Sequence, residues 1–359
     1  MQMQEKRNSS LDGVRAIAIT LVVASHTGIL GQGGLGNAIF FCLSGFLAAI
    51  PFKQDVEKDF LSIKTILNYY LNRLIRILPV YYVVIGTVYV ATGRFFGNKI
   101  TLLKNMLFIE NFSHLWFLQQ EMLMYFCLPF IFILIALIKK LVKFKYNDIL
   151  CGTILVILAF LANEYLTADV FYLNGNGMYQ KFRIGQFLIG TALGYLYKSY
   201  KMSTIDLSKN KAVNIICECM VFAFLLFTIL SSEHIAKCYI DSYEGFYIGW
   251  QLPMFCTILA ALFILALLLN PKGLLVQIIG SKPVSYIGRI SFVIYLVHMF
   301  FVPFFKFGSD KRNFLSVYLV SLCIAVVLHV IVEKPSIILA KNKKIREVIS
   351  YFQNLFASL

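Results

Sequence analysis

LDGVRAIAITLVVASHTGIL, residues 11–30, is the first long apolar stretch of the chain, and it contains an arginine and a histidine. It is long enough to cross a bilayer as a helix, which takes about 17 to 25 mostly apolar residues. Arg15 and His26 are eleven positions apart, close to three turns, so both side chains leave one face of the helix, roughly 16 Å apart along its axis. Charged groups inside membrane helices are costly and by default mark a functional path. Two other readings explain the pair as well: Arg15 extending to the membrane surface, and His26 bonded to a neighbouring helix.

The composition of the whole chain supports a membrane protein. Of 359 residues, 59% are hydrophobic and only 14% are charged, which excludes an ordinary soluble domain of this length. The sequence predicts an all-α integral membrane protein with about ten transmembrane helices, near 12–30, 36–52, 74–92, 119–138, 149–163, 184–198, 213–231, 250–269, 286–306 and 314–332. No loop or tail is long enough to bury a core of its own. We therefore expect one membrane-embedded domain over residues 1–359, with no appended soluble domain.

The distribution of basic residues predicts the orientation. With ten spans and the N-terminus inside, 23 of the 33 Lys and Arg residues fall in inside segments or at the inner ends of spans, and nine fall in outside segments or at an outer end. An excess of Lys and Arg in cytoplasmic loops is the usual orienting signal, so both termini should be cytoplasmic. The net charge of +15 is then explained by this orientation signal and by attraction to anionic lipids. The sequence has no cluster of aromatic and basic residues of the kind that binds nucleic acid, so no nucleic-acid partner is expected. The five histidines are scattered without ligand spacing, so no metal site is expected.

Two further groups of polar residues lie in or beside predicted spans. Ser44 and Gly45 form a small pair in the second span, suited to close helix packing or to a hydrogen bond between helices. Arg73 and Arg76 are three apart at the inner end of the third span. Two guanidinium groups on one face can bind phosphate or diphosphate, and membrane anchoring by positive charge explains them equally well.

A third group begins at Trp116. Glu121 and Tyr125 are four apart on one helix face near the outer boundary, and Trp116 suits either the site or the interfacial belt. A glutamate just inside an apolar run is difficult to explain by packing alone, so Glu121 is a candidate site residue.

These elements resemble the acyltransferase-3 family of bacterial integral-membrane acyltransferases, over nearly the whole chain. The resemblance rests on Arg15 and His26 after LDGV, on FFCLSGFL at 40–47 and on RLIRILPVYY at 73–82. It continues with Trp116, Leu118, Glu121, Tyr125 and Pro129, with ISFVIYLVH at 290–298 and with EKP at 333–335.

The resemblance implies transfer of an acyl group, commonly acetyl, from cytoplasmic acyl-CoA to a hydroxyl of an extracytoplasmic glycan at the cell membrane. Acyl-CoA would be a donor substrate, with no permanently bound cofactor. His26 would be the general base, because neutral imidazole suits proton removal near pH 7. Arg15, Arg73 and Arg76 would bind the donor, and Glu121 would orient His26 or pair with its protonated form. Ser44, Trp116, Tyr125, Tyr295 and His298 would line the pore or the acceptor site.

Two other classes of function fit part of the pattern. A transporter or flippase for a glycan intermediate or a small molecule would also have many spans with polar groups inside them, although the chain shows no two-fold internal repeat. A non-catalytic subunit of a polysaccharide-export complex is the third class. The retention of both Arg15 and His26 favours the enzyme. The sequence gives no oligomeric state and does not identify the acceptor.

Overall fold

A computed structural model of the chain describes residues 8–49, 62–92, 99–109, 113–142, 146–165, 183–231, 252–306 and 308–341. Its secondary structure there is helical, without a strand. In chain order the helices are Ser9–His26 (α1), Gly33–Ala49 (α2), Ile63–Thr92 (α3), Lys99–Met106 (α4), Trp116–Leu141 (α5), Asn147–Tyr165 (α6), Ile184–Met202 (α7), Lys211–Leu230 (α8), Pro253–Leu269 (α9), Leu274–Ile279 (α10), Lys282–Phe301 (α11), Asp310–Leu328 (α12) and Lys334–Lys341 (α13).

Each of the ten predicted spans overlaps one of these helices, and residues 50–52 and 250–251 of two spans lie outside the described residues. By length and composition, six helical segments can cross a membrane: those of α3, α5, α6, α8, α11 and the stretch from α12 into α13. The helices α2 and α9 are apolar but have only 17 residues each. With ten spans and the N-terminus inside, the tail after residue 341 is predicted to be cytoplasmic and the segment 237–244 to be outside. Both lie outside the described residues.

The centre of the fold is built around α1, the helix with the arginine and the histidine. It begins at the Asn8 cap, whose side chain accepts a hydrogen bond from the Ser10 amide at 3.0 Å. Its main packing partners are α11 and α2, and α2 in turn packs against α7 and α9. Most side chains of α1 are therefore buried among other helices rather than facing lipid. This burial explains how α1 accommodates polar groups that a lipid-facing helix would exclude.

The contact between α1 and α11 depends on a glycine. A Cβ atom added at Gly288 would overlap the backbone carbonyl of Asp12 in α1. Gly86 in α3 is the opposite case, because a Cβ there would meet open space. Close approach of membrane helices commonly depends on small residues of this kind.

We expect Gly288→Ala to lower the free energy of unfolding by about 1–3 kcal/mol, because the added methyl group must push two backbones apart. Gly86→Ala is the matched control and should be neutral or slightly stabilising, since alanine favours a helix interior by about 1 kcal/mol over glycine. Thermal melting of both variants in one detergent measures the difference. Equal melting temperatures for the two variants would contradict this packing.

Candidate functional site

A cavity of about 330 Å³ lies between α1, α2, α3, α5 and α11. Its walls combine aromatic rings with an unusual density of charge. The polar and charged part of the lining consists of Arg15, Ser44, Arg73, Arg76, Glu121, Tyr125, Arg289, Ser291 and Tyr295. Three different helices therefore contribute four arginines to one cavity, together with a single glutamate.

The arginines of the cavity are held in different ways. Arg15 forms an ion pair with Asp12, one turn earlier in α1, with 2.6 Å between Nη1 and Oδ1. The guanidinium of Arg73 lies over the ring of Tyr125, 4.7 Å from its centroid, and Arg289 lies similarly near Tyr286 at 5.3 Å. Such stacking orients a guanidinium and leaves its N–H groups directed outward from the ring edge. The cavity is thus suited to a ligand that carries several negative charges, such as phosphate groups.

Glu121 belongs to this cavity. Its Oε1 accepts hydrogen bonds from the Ser44 hydroxyl at 3.0 Å and from the Tyr125 hydroxyl at 2.7 Å. The sequence predicts that Glu121 orients His26 or pairs with its protonated form, whereas in the structure these hydrogen bonds join it to α2 and to its own helix α5. The reason is that side chains of α2 and α5 pack together, with the rings of Phe41 and Phe117 4.4 Å apart, which brings Ser44 to the glutamate.

The hydrogen-bond partner of His26 is another histidine. At the end of α1, His26 Nδ1 lies 2.8 Å from Nε2 of His298 in α11, and the two rings stack with centroids 5.1 Å apart. His298 is completely buried, whereas His26 is exposed. A buried ring therefore holds one ring nitrogen of a residue that is itself partly at the surface of the described structure.

A third histidine, His114, completes the cluster. It lies in the 3₁₀ turn Ser113–Leu115 before α5, and its ring meets that of His298 edge-on at 5.1 Å. His114 Nε2 donates to the Leu296 carbonyl at 3.1 Å, and the Tyr295 hydroxyl donates to the His114 carbonyl. Burial lowers the pKa of His114 to about 3, so its ring is neutral.

Tyr295 connects the cavity with the histidine cluster. Its side chain lines the cavity, and its backbone carbonyl accepts a hydrogen bond from His298 Nδ1 at 2.8 Å. Its ring also packs against that of Phe117, another lining residue, with centroids 5.2 Å apart. The arginine cavity and the three histidines are therefore two parts of one region of the fold.

The structure brings most of the sequence-predicted site residues together. Arg15, Ser44, Arg73, Arg76, Glu121, Tyr125 and Tyr295 line the cavity, and His26 pairs with His298 beside it. Trp116 is placed differently: it is buried at the start of α5, with its ring edge-on to Phe117, and is not among the described residues that line the cavity.

Sequence reasoning missed two residues. Arg289 lies near the start of the predicted span 286–306, where a basic residue is usually an orientation signal, although its position directly before ISFVIYLVH places it on the same helix as two candidate residues. His114 precedes Trp116 by two positions, and that proximity was the only available signal. Both residues become site candidates only when α11 packs against α1 and α5.

Comparisons with known proteins place the chain in a family. It is 29% identical over 322 residues to the peptidoglycan O-acetyltransferase OatA of Listeria monocytogenes, which covers 80% of this chain and 48% of that protein. It is 26% identical over 322 residues to the O-acetyltransferase OatA of Staphylococcus aureus, covering 80% of this chain and 49% of that protein. The chain thus spans about half the length of these curated relatives. No solved structure matches significantly. The family model described as an acyltransferase domain matches residues 8–334, so this chain belongs to the acyltransferase-3 family.

Proposed function

We propose that this chain is a membrane O-acetyltransferase, which moves an acetyl group from acyl-CoA on the cytoplasmic side to a hydroxyl of an extracytoplasmic glycan. The observation that carries the proposal is the pairing of a four-arginine cavity with an exposed histidine held by a second histidine. The family match and the names of the relatives support the same chemistry.

The arginine cavity suits the donor. Coenzyme A carries a diphosphate and a further phosphate, and guanidinium groups bind phosphate oxygens through two parallel hydrogen bonds. Arg15, Arg73 and Arg76 are joined in this role by Arg289, which the sequence had not indicated. We assign to Glu121 a role within this charged set, because it is bonded to Ser44 and Tyr125 and lies in the same cavity as Arg73.

The histidine suits the chemical step. The acceptor hydroxyl oxygen attacks the thioester carbonyl carbon while His26 takes the hydroxyl proton, and an ester C–O bond forms as the C–S bond breaks. The thiolate leaves with the electron pair of that bond and receives the proton from His26, giving free CoA. Arg15 lies roughly 16 Å from His26 along α1, so a donor anchored by its phosphates must extend its thioester arm toward the histidine.

The remaining features of the proposal concern place and acceptor. We propose ten spans with both termini cytoplasmic, in the cell membrane, on the basis of the ten helical segments and of the bias in basic residues. The acceptor to test first is peptidoglycan, because one relative is named a peptidoglycan O-acetyltransferase. Other surface glycans, including O-antigen and capsule, carry the same hydroxyl chemistry.

Mass spectrometry of the surface glycans tests this function. We expect base-labile acetyl esters to disappear from one glycan when the gene for this chain is removed, and to return with the wild-type gene. Complementation with a gene encoding His26→Gln should fail to restore them. Acetyl esters that stay unchanged in every surface glycan of the deletion strain would contradict the proposed function.

A further inference from the structure

The hydrogen bonds of His298 determine which ring nitrogens of His26 and His298 carry a hydrogen. Carbonyl oxygens only accept hydrogen bonds, and His298 Nδ1 lies 2.8 Å from the Tyr295 carbonyl and 3.3 Å from that of Ile294. Nδ1 of His298 must therefore carry a hydrogen. A neutral imidazole has one N–H, so Nε2 of His298 has a lone pair and can only accept.

The neutral state of His298 follows from its surroundings. The ring is completely buried, and no carboxylate of the described residues forms an ion pair with it or with His26. A protonated imidazole in this place would be a buried charge without a counter-ion, which is strongly unfavourable. Its neighbour His114 is a neutral ring and cannot serve as that counter-ion.

The position of the next proton is then determined. The 2.8 Å contact between His298 Nε2 and His26 Nδ1 needs one hydrogen, and only His26 can supply it. His26 is consequently protonated on Nδ1, and its Nε2 carries the lone pair. The chain of donors runs from His26 Nδ1 to His298 Nε2, and from His298 Nδ1 to the Tyr295 carbonyl.

We propose that His298 is a positioning residue, which fixes His26 in the Nδ1–H form and thereby makes Nε2 of His26 the basic atom. This inference rests on the proposed function in one respect, namely that His26 is the base. A buried aspartate performs the same orienting task in serine-protease triads, and here a neutral histidine backed by a backbone carbonyl replaces it. When His26 takes a proton on Nε2, its Nδ1–H still donates to His298, and that hydrogen bond becomes stronger because the donor is charged.

Side-chain length provides a first test. In His298→Gln the terminal amide oxygen reaches about as far as Nε2 and can accept from His26, whereas in His298→Asn the amide reaches only to the position of Nδ1. We expect His298→Gln to keep most of the turnover, and His298→Asn and His298→Ala to lose about 10²-fold in kcat with the KM for acetyl-CoA unchanged. Val297→Ala, a buried change on the same helix, is the matched control for lost packing and should keep kcat. Equal losses for the Gln and Asn variants would overturn the proposal.

Nitrogen NMR of ¹⁵N-histidine-labelled protein in lipid bilayers provides the direct test. The chain has only five histidines, and the spectrum of His26→Gln identifies the signals of His26 by their loss. We expect a protonated Nδ1 and an unprotonated Nε2 for His26, and a shift toward the Nε2–H form in His298→Ala. An Nε2–H form in the wild-type protein would overturn the inference whatever the activity. A wild-type protein with the expected form but without acyl transfer would instead count against the proposed function.

Discussion

His26→Gln is expected to lower the rate of acyl transfer by about 10²–10⁴-fold, the usual contribution of a positioned general base. Glutamine retains a hydrogen-bonding side chain but has no basic nitrogen, so donor binding and folding should change little. The rate is measured with detergent-purified protein, acetyl-CoA and a glycan acceptor, and folding is checked by thermal melting.

The exposure of His26 allows a second arm of this experiment. Imidazole added to His26→Ala can enter the space left by the ring and should restore part of the rate, with no effect on the wild type. His329→Asn is the control for loss of a histidine elsewhere, since the asparagine amide nitrogen reaches about the position of Nδ1 and can still donate to Glu333, whose Oε2 lies 2.7 Å from Nδ1 of His329. A folded His26→Gln variant with full activity would remove this histidine as the base.

The second large effect is expected from the double substitution Arg73→Ala and Arg76→Ala. Each charge-assisted hydrogen bond contributes about 1.5–3 kcal/mol, so loss of both arginines should weaken acetyl-CoA binding by about 10²-fold or more. Phosphate contacts are equal in the ground and transition states, so KM should rise more than kcat falls. Titration calorimetry and steady-state kinetics measure the two quantities.

Two controls make this second result specific. Lys311→Ala with Arg312→Ala removes the same charge from exposed positions on α12, outside the described cavity lining, and should leave affinity unchanged. S-acetylpantetheine, a donor without the phosphates, should be used equally by the double variant and the wild type. Retained acetyl-CoA affinity with lost turnover would mean that these arginines act in the chemical step.

Helices at the ten predicted spans could be located because apolar run length is a local property of the chain, although only six of the described segments are long and apolar enough to cross a membrane. The grouping of Arg15 with Arg73 and Arg76 was also predicted, from what the family resemblance implies rather than from geometry. The bond of Glu121 to Tyr125 agrees with their predicted position on one helix face, whereas the bond to Ser44 was not predictable, because it depends on which helix packs beside α5. The glutamate lies only five positions from Trp116, yet its hydrogen-bond partner Ser44 comes from 77 positions earlier in the chain.

The contact between His26 and His298 was also not predictable from the sequence. His26 and His298 are 272 positions apart, and each was a separate candidate in the sequence. Their contact follows from the packing of α1 on α11, where Gly288 lies against the backbone of Asp12, and this packing cannot be read from either helix alone. Arg289 was missed for a different reason: a basic residue at the start of a span is usually an orientation signal.

One measurement tests the central claim directly, namely that this chain transfers acyl groups and does not merely transport a molecule. The wild-type protein in sealed vesicles receives acetyl-labelled acetyl-CoA on the side of the arginine cavity and peptidoglycan fragments on the other side. We predict release of free CoA that depends on the acceptor, with the label recovered as an ester on the glycan, and loss of both products in His26→Gln. Passage of acetyl-CoA or of the glycan fragments across the membrane without ester formation would contradict the account and identify a transporter.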